Sequence, residues 1–466
     1  MKKFLIFCLY SWVSVALAQN ELTLPHLQNV IQSSYINPSI LPEYKISVGL
    51  PGISSLYAGI THTGFTFNEV TTSKGNGTYS IREWDEVLAK LKRQNYLFAG
   101  SSVDLLSVGY KHRKYYFSFN ITEKVTARFS YPKDLMVLAL HGNESFIGDE
   151  VNLNSLRLDV THRREFGLSA ARTFDRFVVG VRAKFIHGLA NASLDSKDLS
   201  LKTDASTYAL TVSTDASLNT AGFPVDANAD YEARDYLRNK NNYGGGLDLG
   251  ATYKISKKII VSASVHNLGF IHWNSLAHNY NVKGGSSFSG ANLGRPLLDQ
   301  IRDQDDSFEE EGDKLVDSLK NSFQYSETAN AYNTFLIPQL FLSGKYFITP
   351  STQAVASLVL EKYVAVRPSF TIGVQQQLGR VFNGLLTYSV QYGKFDNFGL
   401  GVVIKPPVIP LQLYFAADNI FNTYSIINDN IVAPLDDKSL NVRLGINLVF
   451  GYLYPQDKLQ FPSKTK

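Results

Sequence analysis

Residues 440–451 read LNVRLGINLVFG, and their alternation decides the fold. Leu440, Val442, Leu444, Ile446, Leu448 and Phe450 fall on one face of an extended chain, and Asn441, Arg443, Gly445 and Asn447 on the other, because successive strand side chains point to opposite sides. Upstream, Leu386, Tyr388, Val390 and Tyr392 alternate with Thr387, Ser389 and Gln391. Phe398, Leu400, Val402 and Ile404 oppose Gly399, Gly401 and Lys405, while Leu411, Leu413, Phe415 and Ala417 face away from Gln412 and Asp418. Such segments run from Tyr332 to Gly451 with short turns between them, as in an up-and-down meander. A soluble sandwich shares this period. Three features put a membrane barrel ahead of it: strands near ten residues, Tyr or Phe at strand ends, and opposite faces of Gly, Ser, Thr, Asn and Gln.

The reading is therefore all-β: a closed antiparallel transmembrane β-barrel of about 14 strands, an even number as bacterial barrels use. Earlier segments with strand character are 44–50, 56–62, 103–111, 115–121, 124–130, 153–161, 166–173, 177–189 and 207–215. Three helical pieces interrupt them, at 82–93, 132–140 and 297–324, and read as plug or loop decorations. The first places Trp84, Val87, Leu88 and Leu91 on one face, and the second starts at Pro132 in the first turn.

The ends of the 466-residue chain carry their own signals. Lys2 and Lys3, an apolar run and Ala16-Leu17-Ala18 form a secretory signal peptide over residues 1–18, too short for a transmembrane helix. The sole cysteine, Cys8, leaves with it. The mature chain then has no disulfide and no structural zinc site. Loss of the two lysines takes the formal charge from +4 to +2, a balance that implies no nucleic-acid partner.

Local motifs have competing readings. Gly244-Gly245-Gly246 is followed by a period-two strand and no helix, which removes the context a phosphate loop requires. The glycines instead let the start of a membrane strand bend or lie close to another segment in the lumen. Keeping Leu249 and Tyr253 on the same side as Ile259, Val261 and Val265 pairs Ile255 with Ile259, Tyr253 with Val261 and Leu249 with Val265. That register leaves a three-residue turn, Ser256-Lys257-Lys258. It also places Asp248 opposite His266 on the polar face, either as a cross-strand polar pair or as a proton-relay pair. No G-x-S-x-G elbow singles out a nucleophile, and the chain reads as no enzyme, with no cofactor and no metal. The acidic run Asp303 to Asp313 has Ser307 and Phe308 where a calcium loop needs an acid or Asn and a Gly, so it reads as a solvated extracellular helix. Asn37-Pro38 in SSYINPSILP sets a turn.

YINPSILP, ISVGLPGISSLYAGITHTGFTFNEV, FSYPKDLMVLALHGNESFIG and GVRAKFIHGLANASL, with the terminal strands, resemble an uncharacterised family of Bacteroidota outer-membrane proteins. That family looks like a branch of the long-chain fatty-acid-transporter (FadL-like) barrels, which also include barrels associated with type IX secretion. The resemblance implies an N-terminal hatch over residues 19–43, with Asn37, Pro38 and Ser39 as its motif; Ser39 departs from the Ala of the pattern. It implies a barrel over 44–452, including plug helices and a long 269–333 loop, and a C-terminal tail over 453–466. The location is the outer membrane of a Gram-negative bacterium, among outer-membrane lipids and lipopolysaccharide. The expected function is passive uptake or export of a small hydrophobic or amphipathic compound. The alternative is an anchor or shuttle for a secretion or surface protein partner.

Overall fold

The computed structural model describes residues 21–27, 29–75, 78–81, 83–224, 233–288, 323–363, 366–391, 394–419, 424–427, 431–434 and 439–452. The signal peptide, the acidic run 303–313, most of the 297–324 helix and the tail after 452 lie outside these residues. Fourteen antiparallel strands close a barrel. In chain order they are β1 (Tyr44–Gly49 and Leu56–His62), β2 (Gln94–His112), β3 (Tyr115–Pro132), β4 (Arg157–Thr173) and β5 (Phe177–Thr203). Then come β6 (Tyr243–Lys254), β7 (Ile259–Trp273), β8 (Tyr332–Phe335 and Gln339–Phe347), β9 (Thr352–Lys362) and β10 (Val366–Leu378). The last four are β11 (Phe382–Gln391), β12 (Lys394–Ile404), β13 (Leu411–Asp418) and β14 (Ser439–Tyr452). Each pairs with the next, and β14 returns to β1 through Tyr44↔Tyr452 and Leu56↔Leu444, which removes every edge from the wall.

The outer face is apolar. Leu168, Val179, Val181, Phe185, Leu249, Phe370, Ile372, Val374 and Leu386 are all exposed on it. Aromatic pairs such as Phe177 with Tyr253 and Tyr115 with Phe117 edge this belt at the short-turn end. An apolar belt flanked by aromatics is the surface of an outer-membrane barrel, whose short turns face the periplasm. Among the described residues no helix is long and apolar enough to cross a membrane.

Several strands run longer than their alternation indicates. Segments 115–121 and 124–130 are one strand, β3, and 166–173 joins most of 153–161 in β4. The join is hidden because outward positions turn ionic: Glu123 accepts from Arg164 Nε at 2.6 Å and lies 2.8 Å from His162 Nε2. The outer end of β5 leaves the barrel and pairs with Leu210–Ala221, which pairs with His278–Phe288 and then Gln324–Thr328. Much of the described part of 269–333 is thus sheet rather than irregular loop. At the long-loop end α1 (Trp84–Lys90) and α2 (Lys133–His141) pack together, and Leu88, Leu91 and Tyr131 bury against Leu135 and Leu140. Pro132 precedes α2 instead of opening its first turn, and Gly142 ends it at φ +71°.

Strand β1 is broken. Residues 50–55 loop out between its two halves, bridged by Ile446 N–H to Ile53 O at 3.0 Å and Asp104 N–H to Ser55 O at 3.0 Å. The break turns the Ser54 carbonyl inward, where Gln32 Nε2 and the Tyr414 hydroxyl donate to it.

Candidate functional site

The N-terminal segment, from Glu21 to Glu43, lies inside the barrel. It has little regular structure, two short 3₁₀ turns at Leu24–His26 and Ile31–Tyr35, so its polar backbone must find partners on the wall. It does. Asp418 accepts the Leu22 N–H at 3.0 Å and the Thr23 hydroxyl. Gln412 Nε2 donates to Asn29 O at 2.8 Å, and Gln32 exchanges bonds with Asn447. Glu21 pairs with Arg443, and His26 Nε2 lies 2.9 Å from the Ser357 hydroxyl. Apolar side chains fill the gaps: Leu24, Leu27 and Val30 bury against Val355, Leu385, Val403, Tyr414 and Ala416.

Asn37, Pro38 and Ser39 are buried in a turn held by the Asn37 side chain. Its Oδ1 accepts the Ser39 N–H at 2.9 Å and the Ser39 hydroxyl at 2.7 Å. That hydroxyl also lies 2.7 Å from Thr252 Oγ1 on β6, a contact an alanine there would lack. The wall makes room with glycine: a Cβ on Gly250 would stand 2.2 Å from Asn37 Oδ1, and one on Gly180 2.2 Å from Pro38 O. The Gly244-Gly245-Gly246 run is elsewhere, at the outer end of β6. There a Cβ on Gly244 would meet Phe270 O at 2.1 Å, so that residue admits the backbone of the neighbouring strand, not the lumen segment.

The predicted hairpin register holds near the turn, with Tyr253↔Val261 and Leu249↔Val265, and Ile255 N–H donating to Ile259 O at 3.0 Å. It breaks one step further. Leu247 pairs with Leu268, because His266 and Asn267 form a bulge with Asn267 at φ +63°. Asp248, fully buried, therefore accepts the Asn267 N–H at 2.7 Å and faces Lys184 Nζ at 2.7 Å and Arg182 at 3.6 Å. His266 lines the adjoining cavity but contributes none of these bonds. The break was visible as the apolar spacing changing from two to three between Val265 and Leu268.

Sequence reasoning missed the larger ionic cluster. Beside Asp248, Glu165 is buried between Lys124 Nζ at 2.8 Å and Arg163 Nε at 3.0 Å. Lys124, Arg163, Glu165, Arg182, Lys184 and Asp248 come from inward positions of β3 to β6. The available signal was charge on the polar face of four consecutive strands at matching height, as in VGVRAKF, where Arg182 and Lys184 alternate with Val181, Ala183 and Phe185.

Between this cluster and the N-terminal segment lies a cavity of about 180 Å³. Tyr35 and Ile36 of the segment line it, Phe98, Phe341 and Val359 give it apolar walls, and its polar lining includes Lys124, Arg128, Arg182 and Lys184 together with the carboxylates of Glu21 and Glu361. Arg182 stacks over the Tyr35 ring at 4.6 Å and caps the segment. An apolar cavity of about 150 Å³ admits benzene, so this one has room for a small compound or the end of a longer one. Among the described residues no three His, Cys, Asp or Glu side chains gather as metal ligands.

A family model described as "Family of unknown function (DUF5723)" matches residues 38–418. Among solved structures, the chain is similar to the Ralstonia pickettii toluene transporter TbuX, with 10% identity over 92% of this chain and 99% of that one, at a TM-score of 0.40. It is similar to the P. putida toluene transporter TodX, with 9% identity over 90% and 94% and a TM-score of 0.42. For a Pseudomonas aeruginosa FadL homologue the values are 10%, 93%, 96% and 0.40. The first two are named as toluene transporters. A search of curated proteins returned no match.

Proposed function

The chain belongs to the DUF5723 family, and from that premise we propose a passive outer-membrane conduit for a small amphipathic compound, apolar in body and anionic at one end. The N-terminal segment acts as its hatch. The cavity carries this reading: its phenylalanine and valine walls suit a hydrocarbon body, and its lysines and arginines suit a carboxylate or phosphate end. Passage requires the hatch to shift, because its apolar contacts close the lumen toward β9 to β13. A signal peptide and a Gram-negative outer membrane complete the proposal.

Purified protein in liposomes tests it. Uptake of an alkyl carboxylate is expected to exceed that of its methyl ester, and Asn37→Ala to lower it several-fold with barrel yield unchanged. Equal uptake of acid and ester, or uptake indifferent to Asn37→Ala, defeats the reading.

A second reading, an anchor or shuttle for secreted or surface proteins, is favoured by the sheet beyond the rim. Every residue of its strand Gln324–Thr328 is exposed, and exposed strands and outer loops are where recognition concentrates. A stoichiometric protein co-purifying with the barrel from its own cell envelope, and lost on deletion of 324–328, supports that reading.

A further inference from the structure

We propose that the outer wall holds a seat for one anionic phospholipid of the periplasmic leaflet, formed by a groove in the apolar belt and a basic cluster at its foot. The inference rests on the barrel spanning a membrane and not on what passes through it.

The belt is built largely from Phe, Leu, Ile and Val, with single small residues such as Ala170 and Ala183 between them, but on β6 to β9 four small residues stand together. Ala251 pairs with Ala263, and Gly344 pairs with both Val261 and Ala356. They form the floor of an outward groove of about 590 Å³, with Tyr253 and Phe370 among its walls. A Cβ built on Gly344 meets nothing within 4 Å, so the depression is open to the membrane. In the hydrocarbon layer a gap beside the wall forfeits dispersion contacts and admits no water. An acyl chain is the occupant that layer supplies.

Below the groove the strands end in two adjoining turns. One carries Arg176 and the other Lys257 and Lys258, with Lys254 at the end of β6. Lys254 N–H donates to Arg176 O at 2.9 Å, which ties the turns together. Asp175 is the single carboxylate among residues 174–176 and 254–258. Lys254 itself belongs to the lumen-facing row of β6, whereas Lys258, in the turn, lies three residues from Val261 of the groove, roughly 10 Å at the usual strand rise. Arg176, Lys257 and Lys258, three cations in the turns below a chain-sized groove, match a phosphodiester whose headgroup carries no compensating ammonium.

Native mass spectrometry of the full chain released from nanodiscs tests this, using phosphatidylglycerol and phosphatidylcholine of identical acyl chains. One retained phosphatidylglycerol per barrel is expected, with phosphatidylcholine retained at least tenfold less; equal retention overturns the proposal. Gly344→Leu fills the groove and should abolish retention. Ala356→Leu serves as a second filling variant should the first fail to fold by circular dichroism, and unchanged retention in the folded variant refutes the groove. Arg176→Gln and Lys258→Gln should each weaken retention about fivefold, and no change in either refutes the basic cluster. Glycerol phosphate, a headgroup without chains, should not displace the lipid at equal concentration. Displacement would show that the acyl groove contributes nothing.

Discussion

Two arcs of the barrel wall hold the same N-terminal segment by opposite chemistry. From β9 to β13 the contact has a hydrocarbon centre, Leu24, Leu27 and Val30 against Val355, Leu385, Val403, Tyr414 and Ala416, bordered by neutral and single-carboxylate hydrogen bonds from Ser357, Gln412 and Asp418. From β3 to β6 the wall is ionic, and the segment meets it through Arg182 on the Tyr35 ring and through the Asn37 turn. Dry contact is non-directional and scales with area, so it governs whether the segment stays. Buried ion pairs are directional and tolerate no missing partner, so they govern the shape and charge of the space left over.

The comparison breaks first at Asp248. Asp248→Asn strands Lys184 and Arg182 in a buried site and should cost about 3–5 kcal/mol of barrel stability in denaturant unfolding. A loss below about 1 kcal/mol would show that water reaches those cations. On the dry arc, Leu27→Ala should cost about 2–3 kcal/mol, with the effect on the segment rather than the wall. Limited proteolysis near residue 27 should accelerate while the barrel midpoint holds; a fallen midpoint would mean that segment and wall unfold as one.

His26 sits against Ser357 and Phe341 at the edge of the dry arc, and acid should loosen it. Burial first, then the charge of Lys345, pulls its pKa from 6.5 down to about 3. The unfolded chain therefore binds the proton more readily. Seating is fully stable above pH 6.5 and weakens as pH falls toward 3, by at most about 1.4 kcal/mol per pH unit. His26→Gln should flatten that dependence in the same proteolysis assay. The smallest effect is Ser39→Ala, which removes the hydroxyl contacts to Asn37 and Thr252 and should cost about 1 kcal/mol. A neutral result would mean that the Asn37 to Ser39 N–H bond alone sets the turn.

The wall was legible where one face meets lipid. Leu440 to Phe450, Leu386 to Val390 and Leu411 to Ala417 announce their strands because hydrocarbon outside and polar groups inside enforce a period of two. Legibility failed where that contrast ends. At Glu123, Arg164 and His162 charge faces outward, and β3 and β4 continue although the alternation stops. Asn37 to Ser39 stand out by resemblance alone, and their seat against Gly180 and Gly250 is a contact between distant segments that no local period records. The Asp248 surroundings turn on one bulge at His266 and Asn267, where a backbone N–H and a lysine from β5 supply the bonds to the carboxylate.

The broken first strand ties these features to assembly. Strand β1 follows the N-terminal segment directly, and its register with β14 joins Tyr44 to Tyr452 across nearly the whole described chain. Gln32 bridges the Ser54 carbonyl of the break to Asn447 of β14, so the N-terminal segment is bonded to both sides of the closing seam. Contacts of such sequence separation form slowly, since chain entropy is lost before they are gained. The order of events is then constrained: the segment made first must wait inside a growing sheet for the strand made last, and the barrel closes around its contents.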